Sequence, residues 1–156
     1  MKFEIKNRFS GEIQFTAEIE AGDDTPTSVK IGLAVKWAVK TRANLAGANL
    51  ADAYLAGASL AGANLRLKDG SEAKMVGKRP VLQIGPIGSR AAMLSAYLTD
   101  NGVMLQTGCF GPAPLADFVS AVASQHGDNE HAQEYRAAVA LIEAHAVLWT
   151  PQVEVS

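Results

Sequence analysis

The chain of 156 residues has one cysteine, Cys109, so no internal disulfide braces it and a reducing, cytoplasmic setting is expected. It also lacks a surplus of basic residues. Lys and Arg number 14 against 16 Asp and Glu, the formal net charge is −2, and no block of positive side chains occurs. Holding a phosphate backbone without regard to sequence needs such a block, so nonspecific nucleic-acid binding is not expected. Long apolar runs are missing as well. The opening Met1-Lys2-Phe3-Glu4-Ile5 lacks the apolar core of a secretory leader, and no stretch approaches the about 20 residues that cross a bilayer. Membrane insertion is therefore not expected. With 48% hydrophobic residues, the chain has enough apolar surface for a core in one domain or two small ones.

What the sequence does have is a repeat of five. From Ala43 to Leu67 every unit carries Ala first and Leu third: Ala43-Asn44-Leu45, Ala48-Asn49-Leu50, Ala53-Tyr54-Leu55, Ala58-Ser59-Leu60 and Ala63-Asn64-Leu65. A period of five matches neither the 3.6 of a helix nor the 2 of a strand, and in either element these leucines would scatter over both faces. Gly47, Asp52, Gly57 and Gly62 close the units with residues that ease a turn.

The tract resembles the pentapeptide-repeat family, and the resemblance implies a right-handed quadrilateral β-helix with one unit per side. It places Leu45, Leu50, Leu55, Leu60 and Leu65 inside the coil, together with Ala43, Ala48, Ala53, Ala58 and Ala63. Five units make about one turn. A single turn leaves two edges of unpaired backbone that flanking segments or another subunit must cover, so a homo-oligomer is expected. Some family members imitate DNA with acidic side chains along a long rod; here Asp52 is the one acid in the tract, and that role does not fit.

Before the tract, residues 2–9 and 12–20 alternate apolar and polar around Ser10-Gly11 and predict a β-hairpin. Thr27 or Ser28 is expected to cap a helix through about Thr41 that is apolar on most sides. This run, with Phe3-Glu4-Ile5-Lys6-Asn7-Arg8-Phe9, Lys30-Ile31-Gly32-Leu33-Ala34-Val35-Lys36-Trp37-Ala38 and the repeats behind it, resembles pentapeptide-repeat proteins encoded by tailed phages and prophages. That resemblance implies an N-terminal plug on the coil's first edge, a viral accessory role and a location in the host-cell cytoplasm.

After the tract, residues 66–79 read as a polar loop or short hairpin. Three strands follow, at Val81–Ile84, Ala92–Leu98 and Val103–Thr107, joined by a turn at Gly85-Pro86-Ile87-Gly88-Ser89-Arg90 and by Asp100-Asn101-Gly102. Pro114 opens a helix ended by His126-Gly127, and Asp128 or Asn129 caps a second one presenting Tyr135, Ala138, Val139 and Ile142. Val147, Leu148, Trp149, Val153 and Val155 are expected in a tail beyond it. The predicted fold is α+β: hairpin, helix and repeat coil over 1–67, a linker at 68–79, and a three-stranded antiparallel sheet with two helices over 80–156.

Two groups of residues merit attention for chemistry. Cys109, His126 and His131, with Asn129 and Glu134, offer the makings of a Cys-His-Asn hydrolase, although a lone thiol, a helix-end histidine and a capping asparagine each have ordinary structural uses. Gly88, Ser89 and Arg90, with His131, form the other: glycine-freed amides, a hydroxyl and a guanidinium suit a phosphate or carboxylate. The spacing of Cys109, His126 and His131 fits no metal site, and no cofactor is expected. The leading expectation is a non-enzymatic, oligomeric accessory protein that counters host defence by sequestering a small anionic nucleotide signal. Inhibition of a host defence protein by direct docking, hydrolysis through Cys109 and a virion or scaffolding role are the alternatives.

Overall fold

The computed structural model describes residues 1–7, 10–45, 48, 60–108 and 110–151. It opens with an antiparallel hairpin of β1 (Lys2–Lys6) and β2 (Ile13–Glu18), in which Phe3 pairs with Ala17 and Ile5 with Phe15. Helix α1 (Thr27–Thr41) lies across it, and Trp37 stacks on Phe15 with ring centroids 6.1 Å apart. The buried side of α1 carries Gly32, Ala34, Val35 and Ala38, small residues that let the helix approach closely. The cap differs from expectation. Pro26 takes the N-cap position with no side-chain hydrogen bond, and its carbonyl accepts from the amides of Val29 and Lys30, which leaves Thr27 as the first helical residue. Proline's fixed φ suits a helix start, and no capping hydroxyl is needed for that geometry.

Among the described residues of the repeat tract none is helical, and Leu45, Leu60 and Leu65 are buried together with Ala48. Ala43 and Ala63 pack against the same core. The hairpin meets the tract directly: Asn7 bridges to Ala48, and the Gln14 side-chain amide donates to the carbonyl of Asn44 at 2.7 Å. No closed four-sided coil is seen among the described residues. Leu50, Leu55, Ala53 and Ala58 lie outside them.

The last repeat unit runs into a short hairpin of β3 (Asn64–Arg66) and β4 (Glu72–Lys74), so Leu65 is both a repeat leucine and the inward residue of β3. Met75, 1% exposed, then bridges to Thr99, and the Val76 amide donates to the carbonyl of Leu98 at 2.9 Å. Those contacts carry the chain onto a four-stranded antiparallel meander of β5 (Val81–Ile87), β6 (Ala92–Thr99), β7 (Gly102–Thr107) and β8 (Phe110–Pro114).

The sheet thus has four strands where three were expected, and β5 continues through Gly85-Pro86 to Ile87, with the turn at 88–91. The Gly85-Pro86 pair that read as part of a turn lies in a strand, as does Gly111-Pro112. Proline cannot donate to a ladder, yet an edge strand needs hydrogen bonds on one side only, and Pro86 and Pro112 sit in the two edge strands. The pairing is irregular at both places, between Ile84 and Ile87 and between Leu105 and Thr107 of the facing strand.

Both faces of the sheet are covered. On one, Leu94, Ala96 and Leu105 meet Phe118 and Val122 of α2 (Leu115–His126) and Ala132, Tyr135, Ala138 and Ile142 of α3 (Glu130–Trp149). On the other, Tyr97 and Met104 join Leu60, Leu65, Leu67, Met75 and Val35. Every residue of β6 from Leu94 to Thr99 is consequently buried, which is why its sequence reads as a continuous apolar run. Some buried polar groups find partners inside the sheet: Tyr97 Oη donates to Gln106 Oε1 at 3.1 Å, and Thr99 Oγ1 to the Gly102 carbonyl at 2.6 Å, while Gln106 Nε2 has no partner among the described residues. Asn129 caps α3, accepting from the Ala132 amide at 3.0 Å. The helix runs on to Trp149, so Val147 and Leu148 are helical and not part of a tail; Pro151 follows the C-cap Thr150. Val153 and Val155 are outside the described residues.

Leu60 contributes a fully buried side chain where the tract meets this double-sided core. Leu60→Ala should lower stability by about 2–5 kcal/mol in urea titrations, whereas Lys36→Ala, on the exposed side of α1, should stay within about 0.5 kcal/mol of the parent.

Candidate functional site

At one end of the sheet the turn between β5 and β6, the junction of β7 and β8, the C-terminal half of α2, Tyr135 of α3 and the β3–β4 turn enclose a cavity of about 200 Å³. Each element brings a different chemistry. The 88–91 turn supplies Ser89 and Arg90, the strand ends supply Thr107 and Phe110, α2 supplies Gln125 and His126, and the β3–β4 turn supplies Lys68. Phe118 and Tyr135 form an aromatic base: Phe118 stands edge-on to Phe110 and to Tyr135, with centroids 5.4 Å apart in both pairs.

The two loops bearing the cations are held by backbone contacts. Lys68 donates its amide to the carbonyl of Pro112 at 2.8 Å, which ties the β3–β4 turn to the sheet's edge strand. Beside it Asp69 accepts from the Ser71 hydroxyl at 2.6 Å and from the Ser71 amide at 2.9 Å. Those donors, the hydroxyl foremost, hold the Asp69 carboxyl below the usual carboxylate range. The brace therefore persists above that range and is lost only as pH falls through the lowered value. Across the cavity, the Gly88 amide donates to Glu134 Oε1 at 2.6 Å, and the Ala91 amide to the Gly88 carbonyl at 3.1 Å. Arg90 then lies over Gly108, where a Cβ would come within 3.4 Å of its guanidinium.

The electrostatic result is one-sided. Lys68, Arg90 and His126 face the cavity, and no carboxylate among the described residues lines it; the nearby Glu134 is engaged by the Gly88 amide. Ser89, Thr107, Tyr135 and Gln125 add neutral hydrogen-bonding groups. Such a set can take an anionic group on guanidinium and ammonium, with hydroxyls fixing its orientation.

With this geometry in view, comparison with known proteins adds one finding. A family model described as pentapeptide repeats, in eight copies, matches residues 41–67. The chain carries a pentapeptide-repeat tract. No curated protein and no solved structure matches it. The pentapeptide-repeat tract ends at Leu67, directly before Lys68, so the cation on the cavity's outer side is delivered by the residue that follows the last repeat.

Of the residues singled out in the sequence, Ser89, Arg90 and His126 line the cavity. Gly88 supports it from beneath through its amide. His131 is in ring contact with His126, centroids 5.5 Å apart, and does not line the cavity. Asn129 is a helix cap, Glu134 holds the turn, and Cys109 lies outside the described residues. Lys68, Phe110 and Tyr135 were not anticipated. Lys68 carries no local signature, since only the tertiary pairing of the β3–β4 turn with β8 brings it here. Among the described residues no group of three or more His, Cys, Asp or Glu gathers where a metal ion could be held, and no helix is long and apolar enough to cross a membrane.

Gly88 has φ +77°, and a Cβ on it would fall 1.8 Å from Tyr135 Oη. Gly88→Ala is expected to cost about 2–4 kcal/mol, from steric overlap plus left-handed strain, in thermal or urea unfolding. Gly102→Ala, positive in φ with open space around it, should cost only about 1–2 kcal/mol by the same measurement.

Proposed function

We propose that this chain is a non-enzymatic binding protein whose cavity takes a small phosphorylated ligand, with a nucleotide as the matching class. The observation that carries the reading is the convergence of Lys68, Arg90 and His126 on one cavity that no carboxylate among the described residues lines. A phosphate engages a guanidinium through two parallel hydrogen bonds and an ammonium as a point charge. The half-buried Phe110 offers an aromatic surface for a flat ring beside those cations. Repeats are consistent with such a non-enzymatic role, and the buried Leu45, Leu60 and Leu65 support a β-helical coil between Ala43 and Leu67. If the chain serves a phage in its host's cytoplasm, as its N-terminal resemblance suggests, capture of a nucleotide signal is the use we assign to it: the protein would lower the free signal and blunt the host's defence.

Isothermal titration calorimetry with a nucleoside monophosphate, a cyclic dinucleotide and inorganic phosphate tests the reading. At least one should bind, more weakly as salt rises, and Arg90→Gln and Lys68→Gln should each raise the dissociation constant about 10- to 100-fold. Asp24→Asn, in the loop ahead of α1 and away from the cavity's lining residues, should leave it unchanged. Absence of heat with all three ligands sinks the proposal.

A further inference from the structure

Helix α3 is apolar on two opposite sides, and the sheet covers one of them. Ala132, Tyr135, Ala138 and Ile142 are buried. Opposite them Ala137, Ala140, Leu141, Ala144, Val147 and Leu148 are all exposed, Leu141 at 52%, Val147 at 76% and Leu148 at 72%. They recur at steps of three and four residues and form one uncharged stripe roughly 120° wide. A helix apolar all round belongs inside something, and here nothing in the chain's described residues lies over the outer side.

We infer that a second copy of this chain covers the stripe, α3 against α3 in antiparallel orientation, about a two-fold axis passing between Val139 and Ala140. The rim charges select this partner and this direction. Arg136 and Glu143 lie on the same edge of the stripe, and the two-fold places each Arg136 opposite the partner's Glu143. An interface between identical copies must be self-complementary in this way, and a parallel copy would instead set this edge against the partner's other edge, where Glu134 and His145 are already engaged. Glu143 makes no hydrogen bond among the described residues. Arg136 bonds Asp128 Oδ1 at 2.8 Å and the Gly127 carbonyl at 2.7 Å, but its side chain is 53% exposed and a guanidinium has further donors.

The rest of the stripe agrees. Near the axis the residues are Ala137, Ala140 and Ala144, small enough for the helices to approach at the short end of the usual 8–10 Å spacing, with Leu141 set against the partner's Ala137. The far edge contributes no unpaired charge, since Glu134 accepts from the Gly88 amide and His145 Nε2 meets the Arg79 carbonyl at 2.9 Å. One helix about 30 Å long buries less than the roughly 800 Å² per partner of a standard interface, which fits a reversible dimer and not an obligate one.

Sedimentation equilibrium on the full chain tests the inference. A species of 16.4 kDa should be in reversible equilibrium with one of twice that mass. Ala144→Glu and Leu148→Glu place a carboxylate in the seam on already exposed positions, so circular dichroism should be unchanged while the dissociation constant rises at least about tenfold. Arg136→Glu or Glu143→Arg alone should weaken the dimer, and the two together should restore it. Monomer at every concentration up to high micromolar, or a dimer indifferent to both seam substitutions, overturns the interface. Failure of the charge-reversed pair to recover overturns the antiparallel register.

Discussion

A small antiparallel sheet that is apolar on both faces has to be covered twice, and that requirement organises this protein. The central strand β6 has no solvent side at all: Leu94 and Ala96 look to the helices, Tyr97 to the repeat and α1. At about 25 cal/mol per Å² of apolar surface, leaving either face wet would forfeit several kcal/mol, comparable to the whole margin by which a domain of this size is folded. Helices α2 and α3 satisfy one face. The other is satisfied by the N-terminal hairpin, α1 and the leucines of the repeat, so the repeat is part of a core and not an appended rod.

The cavity follows from the same arrangement. Where the two coverings meet the end of the sheet, three turns that need not share a site come within reach of one another. Lys68 arrives from the repeat side and Arg90 from the sheet, while His126 ends a covering helix. The backbones of the Lys68 and Arg90 loops are each held by hydrogen bonds, so the two loops are positioned by the fold itself.

How far the sequence revealed this depends on whether the signal was local. The resemblance carried by the fivefold spacing placed Leu45, Leu60 and Leu65 inside, alternation gave the first hairpin, and Asp128-Asn129 marked a helix cap that Asn129 supplies; each signal is contained within a short stretch of chain. Pro86 misled, because the same residue type marks a turn and an edge strand, and only the sheet order distinguishes them. Val147 and Leu148 read as a tail since their apolar side chains have no partner within the chain, although the backbone continues as helix. Lys68 was illegible for a further reason: its place in the cavity depends on a hydrogen bond to Pro112, 44 positions further along the chain.

The central claim is the proposal that an anion binds at one end of the sheet, between the repeat-side turn and the C-terminal helices. Titrating ¹⁵N-labelled protein with a nucleoside monophosphate and following amide shifts tests it most directly. The account predicts a contiguous set of shifts at Lys68–Ser71, Gly88–Ala91, Thr107–Phe110 and Gln125–His126, saturating together, with β1 and β2 unmoved. Shifts centred on the hairpin or α1, with these four segments silent, would contradict it.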